Sequence, residues 1–199
     1  MAFDDLVRSS HSAHPRVRLA VIEGTSISQV EALRSGRLDF CIIRATGAGT
    51  PFLSTKVLMR EHMLMALPKS HPLAKSLKIR LAEVSQDKFV LFAPAGPAPM
   101  HAMLVSACRE VGFAPNFELE VQHQPSAVGP VASGDAVAML PASLAAVRHR
   151  DGIFKRLVGN GSEMTFDALA AWSPTNENPS QEQLLATLPD HRTSAMGAE

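Results

Sequence analysis

The order of apolar and polar positions predicts alternating helices and strands in the first quarter of the chain. Apolar residues spaced three and four apart predict a short amphipathic helix over residues 2–13. The run Val17–Ile22 predicts a buried strand, and Thr25 and Ser26 follow it with hydroxyl groups where a helix N-cap belongs. A second buried strand is predicted at Leu38–Ile43. Strand, helix and strand in this order predict a βαβ unit, so at least part of the sheet should be parallel.

From residue 55 the predicted strands become shorter and are separated by turn-forming residues. Further strands are predicted at residues 55–59, 62–67, 89–92, 117–121, 136–140, 153–157 and 165–172. Helices are predicted at residues 100–111, 127–132, 142–147 and 184–188. The whole pattern predicts a mixed α/β fold.

Composition limits which partners the chain can have. Lys plus Arg and Asp plus Glu number 19 each, so there is no basic excess to neutralise phosphates, and we expect no direct nucleic-acid binding by this chain. Cys41 and Cys108 lie in apolar patterns and are predicted to be reduced core residues. No secretory signal or apolar membrane span is found in the sequence, so no membrane association and a cytoplasmic location are expected.

Sequence motifs for catalysis, metal binding and cofactor binding are not found. The sequence lacks the glycines of a dinucleotide or phosphate loop. It also contains no G-x-S-x-G elbow, no H-E-x-x-H helix and no C-x-x-C pair. The eight histidines are scattered and do not pair at metal-ligand spacing. We therefore predict no catalytic residues, no metal and no cofactor, and expect that the chain is not an enzyme.

Three junctions between a strand and a helix suggest a binding site instead. These junctions are Thr25-Ser26, Gly96–Pro99 and Pro125-Ser126, and in a parallel sheet they would gather at the carboxyl ends of the strands. Helix N-termini offer unpaired N–H groups that suit a carboxylate. Arg44 follows a buried strand at the same edge and could hold an anion. The alternatives are that each hydroxyl is only an N-cap and that Arg44 is only a solvated strand end.

Two longer stretches resemble a known family. The sequences EALRSGRLD at residues 31–39 and VASGDAVAMLPAS at residues 131–143 resemble the effector-binding domain of LysR-type transcriptional regulators. Shorter matches, such as Ser70–Leu73 and Phe166–Trp172, follow in the same order, and the resemblance runs from about residue 3 to residue 188. It is strongest to the branch that senses aromatic-degradation intermediates such as benzoate and muconate.

The resemblance implies a fold like that of type 2 periplasmic binding proteins, in which two crossover strands join two lobes and an effector binds between them. Lobe I would be residues 1–60 plus 168–199, and lobe II would be residues 61–167. The predicted effector, a small organic acid, would contact residues drawn from both lobes. The residue set combines the hydroxyl, arginine and loop positions above with two apolar side chains: Thr25, Ser26, Arg44, Phe92, Pro97, Met100 and Ser126.

Two parts of the family's pattern have no counterpart in this sequence. They are the N-terminal helix-turn-helix, which binds DNA, and the first strand of lobe I. We therefore expect exposed strand edges and apolar surface in lobe I, and a homodimer or larger homo-oligomer that covers them.

A sensing domain is the leading functional hypothesis, and two alternatives remain. A solute-binding protein of a transport system would have the same fold, but it would need an export signal. An enzyme on an α/β scaffold would need a nucleophile and base pair, which the sequence does not reveal.

Overall fold

The computed structural model describes residues 3–44, 52–92, 99–145, 152–188 and 192–193. The α-helices in these ranges are α1 (Phe3–Ala13), α2 (Ser26–Arg34), α3 (Pro99–Glu110), α4 (Val128–Ser133), α5 (Ala142–Ala145) and α6 (Pro179–Ala186). The strands are β1 (Phe40–Arg44), β2 (Ser54–Pro68), β3 (Lys78–Arg80), β4 (Lys88–Phe92), β5 (Asn116–Val121), β6 (Ala138–Pro141), β7 (Gly152–Val158), β8 (Thr165–Trp172) and β9 (Arg192–Thr193). The predicted α/β fold class is confirmed.

The described residues separate into two compact units. One unit contains those within Met1–Arg60 and Asp167–Ala195, and the other contains those within Glu61–Phe166. Strands β2 and β8 each run from one unit into the other. Among the described helices, none has the length and apolar character required to cross a membrane.

The first unit is a sheet with helices on both faces. Strand β8 lies between β1 and β2, and it pairs antiparallel with β1 so that Arg44 lies opposite Ala168. Side chains alternate between the two faces of a strand, so each strand contributes to two apolar clusters. On one face, helices α1 and α6 pack against the sheet; on the other, Leu33 of α2 packs against Cys41 and Ile43 of β1.

The second unit is built around the C-terminal part of β2. Residues 63–68 of β2 pair with β6 on one side and with β7 on the other, and β3 adds to β7 in parallel. Strands β4 and β5 form a parallel pair, and β4 also exchanges backbone hydrogen bonds with Val137, which directly precedes β6. Successive β2 residues enter different apolar clusters, Met63 and Met65 in one and Ala66 in the other. The sheet is therefore buried on both faces, as parallel and mixed sheets usually are.

The prediction of a buried strand at Val17–Ile22 is wrong. This segment has no regular structure, and Leu19, Val21 and Ile22 are 39%, 59% and 61% exposed. A strand forms only where a neighbouring strand satisfies its backbone N–H and C=O groups, and none pairs with this segment in the described parts of the chain. The predicted βαβ unit is therefore not formed, because β1 pairs antiparallel with β8 instead.

The two short strands predicted at residues 55–59 and 62–67 are one continuous strand, β2. The polar pair between them suggested a break, but both side chains have partners. Arg60 forms a bidentate ion pair with Asp167, with N–O distances of 2.8 and 3.0 Å. The carboxylate of Glu61 accepts a hydrogen bond from the Ser143 N–H. These contacts let β2 run without interruption from one unit into the other.

Burial should make both cysteines unreactive in the folded protein. Cys41 and Cys108 are free thiols, 5% and 0% exposed, and burial raises the pKa of each to about 11. Because the thiolate is the reactive form, an aromatic disulfide reagent at about pH 7.5 should release no chromophore from the native chain. In denaturant the same reagent should titrate both thiols. Release of one equivalent before unfolding would contradict the buried placement.

Candidate functional site

The N-terminus of α2 is capped by one of the predicted site residues. Thr25 has the extended backbone conformation of an N-cap, and its Oγ1 accepts a hydrogen bond of 3.1 Å from the Ser28 N–H. Gly24 leaves room for this turn, since a Cβ at that position would lie 2.7 Å from the Ser28 Oγ. The N-cap reading of Thr25 is therefore correct, and its hydroxyl already has a partner inside the helix.

The structure brings Ser26 and Arg44 together, although 18 positions separate them in the sequence. The Ser26 Oγ accepts a hydrogen bond of 3.3 Å from the backbone N–H of Arg44. Both side chains are half-buried, and the Nε atom of Arg44 is shielded from solvent. The C-terminal end of β1 is thus attached to the first turn of α2, as the sequence hypothesis requires.

The electrostatics of this junction favour an anion. No acidic side chain lies in the first turn of α2, and Arg34 lies in its last turn, so the positive end of the helix dipole is not neutralised from within the helix. Within the described residues, the N–H groups of Ser26 and Ile27 have no intramolecular hydrogen-bond acceptor. Two N–H donors at a helix end suit a carboxylate, and a guanidinium is the side-chain group that can add a bidentate contact to it.

The remaining predicted residues belong to the second unit or lie outside the described residues. Phe92 ends β4 and is half-buried, and Met100 is buried in the first turn of α3. Pro97 lies outside the described residues. Ser126 does not cap a helix as expected: it is exposed inside a 3₁₀ turn, Gln124–Ala127, and α4 begins after Ala127 without a side-chain cap. The proline at position 125 favours this tighter turn over a capped α-helical start.

Two buried polar residues of the second unit were not predicted. Glu61 is 5% exposed and accepts the Ser143 N–H at 2.6 Å, at the start of α5. Gln124 is 8% exposed, and its Nε2 donates to the Met100 Sδ. The sequence does carry a signal for Glu61, because this charged residue lies inside the apolar run of β2. A charge that is buried in such a run needs a partner. Gln124 has no comparable signal, because a lone amide in a turn is ordinary.

Other chemistry is not favoured in the described ranges. They contain no group of three or more His, Cys, Asp or Glu side chains arranged to hold a metal ion. The two cysteines are buried, and burial raises the pKa of each thiol, which disfavours a nucleophilic thiolate. The α2–β1 junction (Thr25, Ser26 and Arg44) is therefore the candidate site that the geometry supports best.

Comparison with known proteins identifies the family. The family model for the LysR substrate binding domain matches residues 3–192, and the chain belongs to this family. The HTH-type transcriptional regulator CatR of Pseudomonas putida is 33% identical over 147 residues, which cover 73% of this chain and 50% of CatR. BenM of Acinetobacter baylyi is 28% identical over 148 residues, which cover 72% of this chain and 47% of BenM. The chain spans about half the length of these relatives.

Solved structures show the same fold. The BenM effector binding domain with its effector benzoate aligns with a TM-score of 0.80 at 23% identity, covering 94% of this chain and 83% of that one. The effector binding domain of QuiR in complex with shikimate aligns with a TM-score of 0.80 at 18% identity, covering 93% and 87%. The predicted two-lobed fold with crossover strands is thereby confirmed.

The capping role of Thr25 can be measured as stability. Thr25→Val removes the oxygen that accepts the Ser28 N–H and should lower the free energy of unfolding by about 1 kcal/mol. Thr25→Ser keeps the oxygen and should stay close to wild type. Urea unfolding followed by circular dichroism measures both. Equal stability of the valine and serine variants would show that the hydroxyl does not cap α2.

Proposed function

We propose that this chain is the effector-sensing domain of a LysR-type transcriptional regulator and that it binds a small organic acid at the α2–β1 junction. The observation that carries the proposal is the hydrogen bond from the Arg44 backbone N–H to Ser26, which holds the backbone of Arg44 against the first turn of α2, where no acidic side chain lies. The two units of the chain would correspond to lobes I and II of the family.

Electrostatic attraction is the main source of affinity in this proposal. The carboxylate would accept hydrogen bonds from the Ser26 and Ile27 N–H groups and from the guanidinium of Arg44. A charge-assisted hydrogen bond contributes about 1.5–3 kcal/mol, whereas a bond between neutral groups contributes about 1 kcal/mol. The charged head would therefore supply most of the selection for acids over neutral analogues.

The relatives support a regulatory role over solute transport. CatR and BenM are named as transcriptional regulators, and BenM and QuiR were solved with benzoate and shikimate, both carboxylic acids. In a regulator, an acid that binds one conformation of the domain more tightly would shift the population toward that conformation. The identity of the acid is left open between aromatic and alicyclic classes, and both are used in the test below.

Calorimetric titration of the full chain with benzoate and with shikimate tests the site. Arg44→Ala should weaken binding of the acid about tenfold or more, because it removes a charge-assisted bond. The matched control is Arg8→Ala, which removes the same charge from an exposed position on α1 of the same unit. The control should bind as wild type does.

Unchanged affinity of Arg44→Ala would refute the site. Equal weakening in both arginine variants would also refute it, because the effect would then come from overall charge. A melting curve for each variant separates lost binding from lost folding.

A further inference from the structure

The turn that precedes strand β3 carries an almost fully exposed leucine between two lysines. Leu77 is 92% exposed, more than any other large apolar side chain in the described parts of the chain. Lys75 and Lys78 are also exposed, and neither forms an ion pair among the described residues. A single exposed leucine is ordinary on a protein surface and alone indicates nothing. Its place between two uncompensated charges is the feature that needs an explanation.

Positive charge is concentrated around this turn, although the chain as a whole has no net charge. Residues 62–82 contain four Lys and Arg residues and no Asp or Glu, whereas the whole chain has 19 of each sign. Strand β3 ends its sheet, and its register with β7 sets Lys78 opposite Arg156. Like charges that lie opposite each other disfavour strand pairing, and natural sequences accept such conflicts mainly at functional positions. Glu163 contacts Arg156 at 3.2 Å, but no acidic side chain of the described chain contacts Lys78.

The combination of charge and exposed apolar surface favours an acidic protein segment as the occupant. Its carboxylates would pair with Lys75 and Lys78, and an apolar side chain between them would cover Leu77. A nucleic acid matches less well, because phosphates would leave Leu77 uncovered and the chain has no basic excess. Strand addition to β3 is also disfavoured, because the Arg80 backbone N–H already donates to the Glu83 Oε2 at 2.8 Å. The contact therefore depends on side chains.

We propose that the turn at residues 75–78 is a docking site for an acidic segment of a partner protein that carries an apolar residue among its carboxylates. Exposed ion pairs contribute more to selectivity and association rate than to affinity, so the complex is weak, reversible and sensitive to salt. The turn lies in the second unit, whereas the α2–β1 junction lies in the first. This inference therefore does not depend on the proposed organic-acid site.

Fluorescence anisotropy with a dye-labelled peptide of sequence EDLEELDE tests the apolar contact in the full chain. The matched peptide EDSEESDE has the same charge but no leucine, and it should bind about fivefold more weakly because it cannot cover Leu77. Leu77→Ser should weaken binding of the leucine peptide by about the same factor and should leave binding of the serine peptide unchanged. Such coupling is expected only where the two leucines are in contact.

Charge reversal tests the ion pairs in the same assay. The double variant K75E/K78E should weaken binding of the leucine peptide at least about tenfold, because it replaces two attractions by two repulsions. The control R8E/R109E reverses two exposed arginines elsewhere in the chain and should bind as wild type does. All of the changed side chains are exposed, so each variant should keep the wild-type melting curve.

Several outcomes would overturn the proposal. Absence of saturable binding to the wild-type chain, or equal affinity for the two peptides, would remove its basis. Equal weakening by both double variants would show that overall charge accounts for the binding. Displacement of the peptide by a DNA duplex of equal total charge, as effective as unlabelled peptide, would assign the turn to nucleic acid. Self-association that is lost in Leu77→Ser would assign it to a second copy of the chain.

Discussion

The hydrogen bonding of β2 is the constraint on which the rest of the structure depends. This strand is 15 residues long, and residues 63–67 within it are between 0 and 3% exposed. Its C-terminal part pairs with β6 and β7, and its N-terminal part belongs to the sheet of the first unit. Because buried backbone groups must be hydrogen-bonded, loss of pairing along β2 would leave unsatisfied donors and acceptors in both units. Arg60 and Glu61, at the passage between the units, are each held by a partner.

The candidate site follows from this sheet by a short series of contacts. Strand β8 pairs beside β2 and sets the register of β1, which places Arg44 at the end of the sheet. Helix α2 packs on β1 through Leu33, and its first turn reaches Arg44 through Ser26. The local sequence decides where the helix starts, since Thr25 provides the cap and Gly24 the space. The geometry of the proposed anion site therefore depends on both a local signal and long-range pairing.

Local signals in the sequence predicted the helices and most strands correctly. Helix α2 begins at the predicted hydroxyl pair, and the apolar run before Arg44 is a strand. Two of the failures concern partners distant in sequence. Val17–Ile22 has the composition of a strand, but no described strand satisfies its backbone, so composition alone misleads. The polar pair Arg60-Glu61 suggested a break because Asp167 and Ser143 could not be foreseen as their partners.

The site residues were also predicted unevenly. Ser26 and Arg44 were expected near each other, and the structure joins them by a hydrogen bond, although the βαβ unit on which that expectation rested is not formed. Ser126 was misassigned because a serine after proline fits a 3₁₀ turn as well as an N-cap. Gln124 became visible only when its burial was known, whereas Glu61 interrupts an apolar run of the sequence.

The central claim is that this domain selects its ligand by a negative charge. Thermal unfolding with benzoate and shikimate, each beside its uncharged amide, measures that selection directly. An acid at about 100 times its Kd stabilises the folded state by about 2.7 kcal/mol, which for a chain of this size raises the Tm by roughly 5–10 °C. We predict such a rise for at least one acid and none for its amide. Equal rises for acid and amide, or no rise with either acid, would contradict the claim.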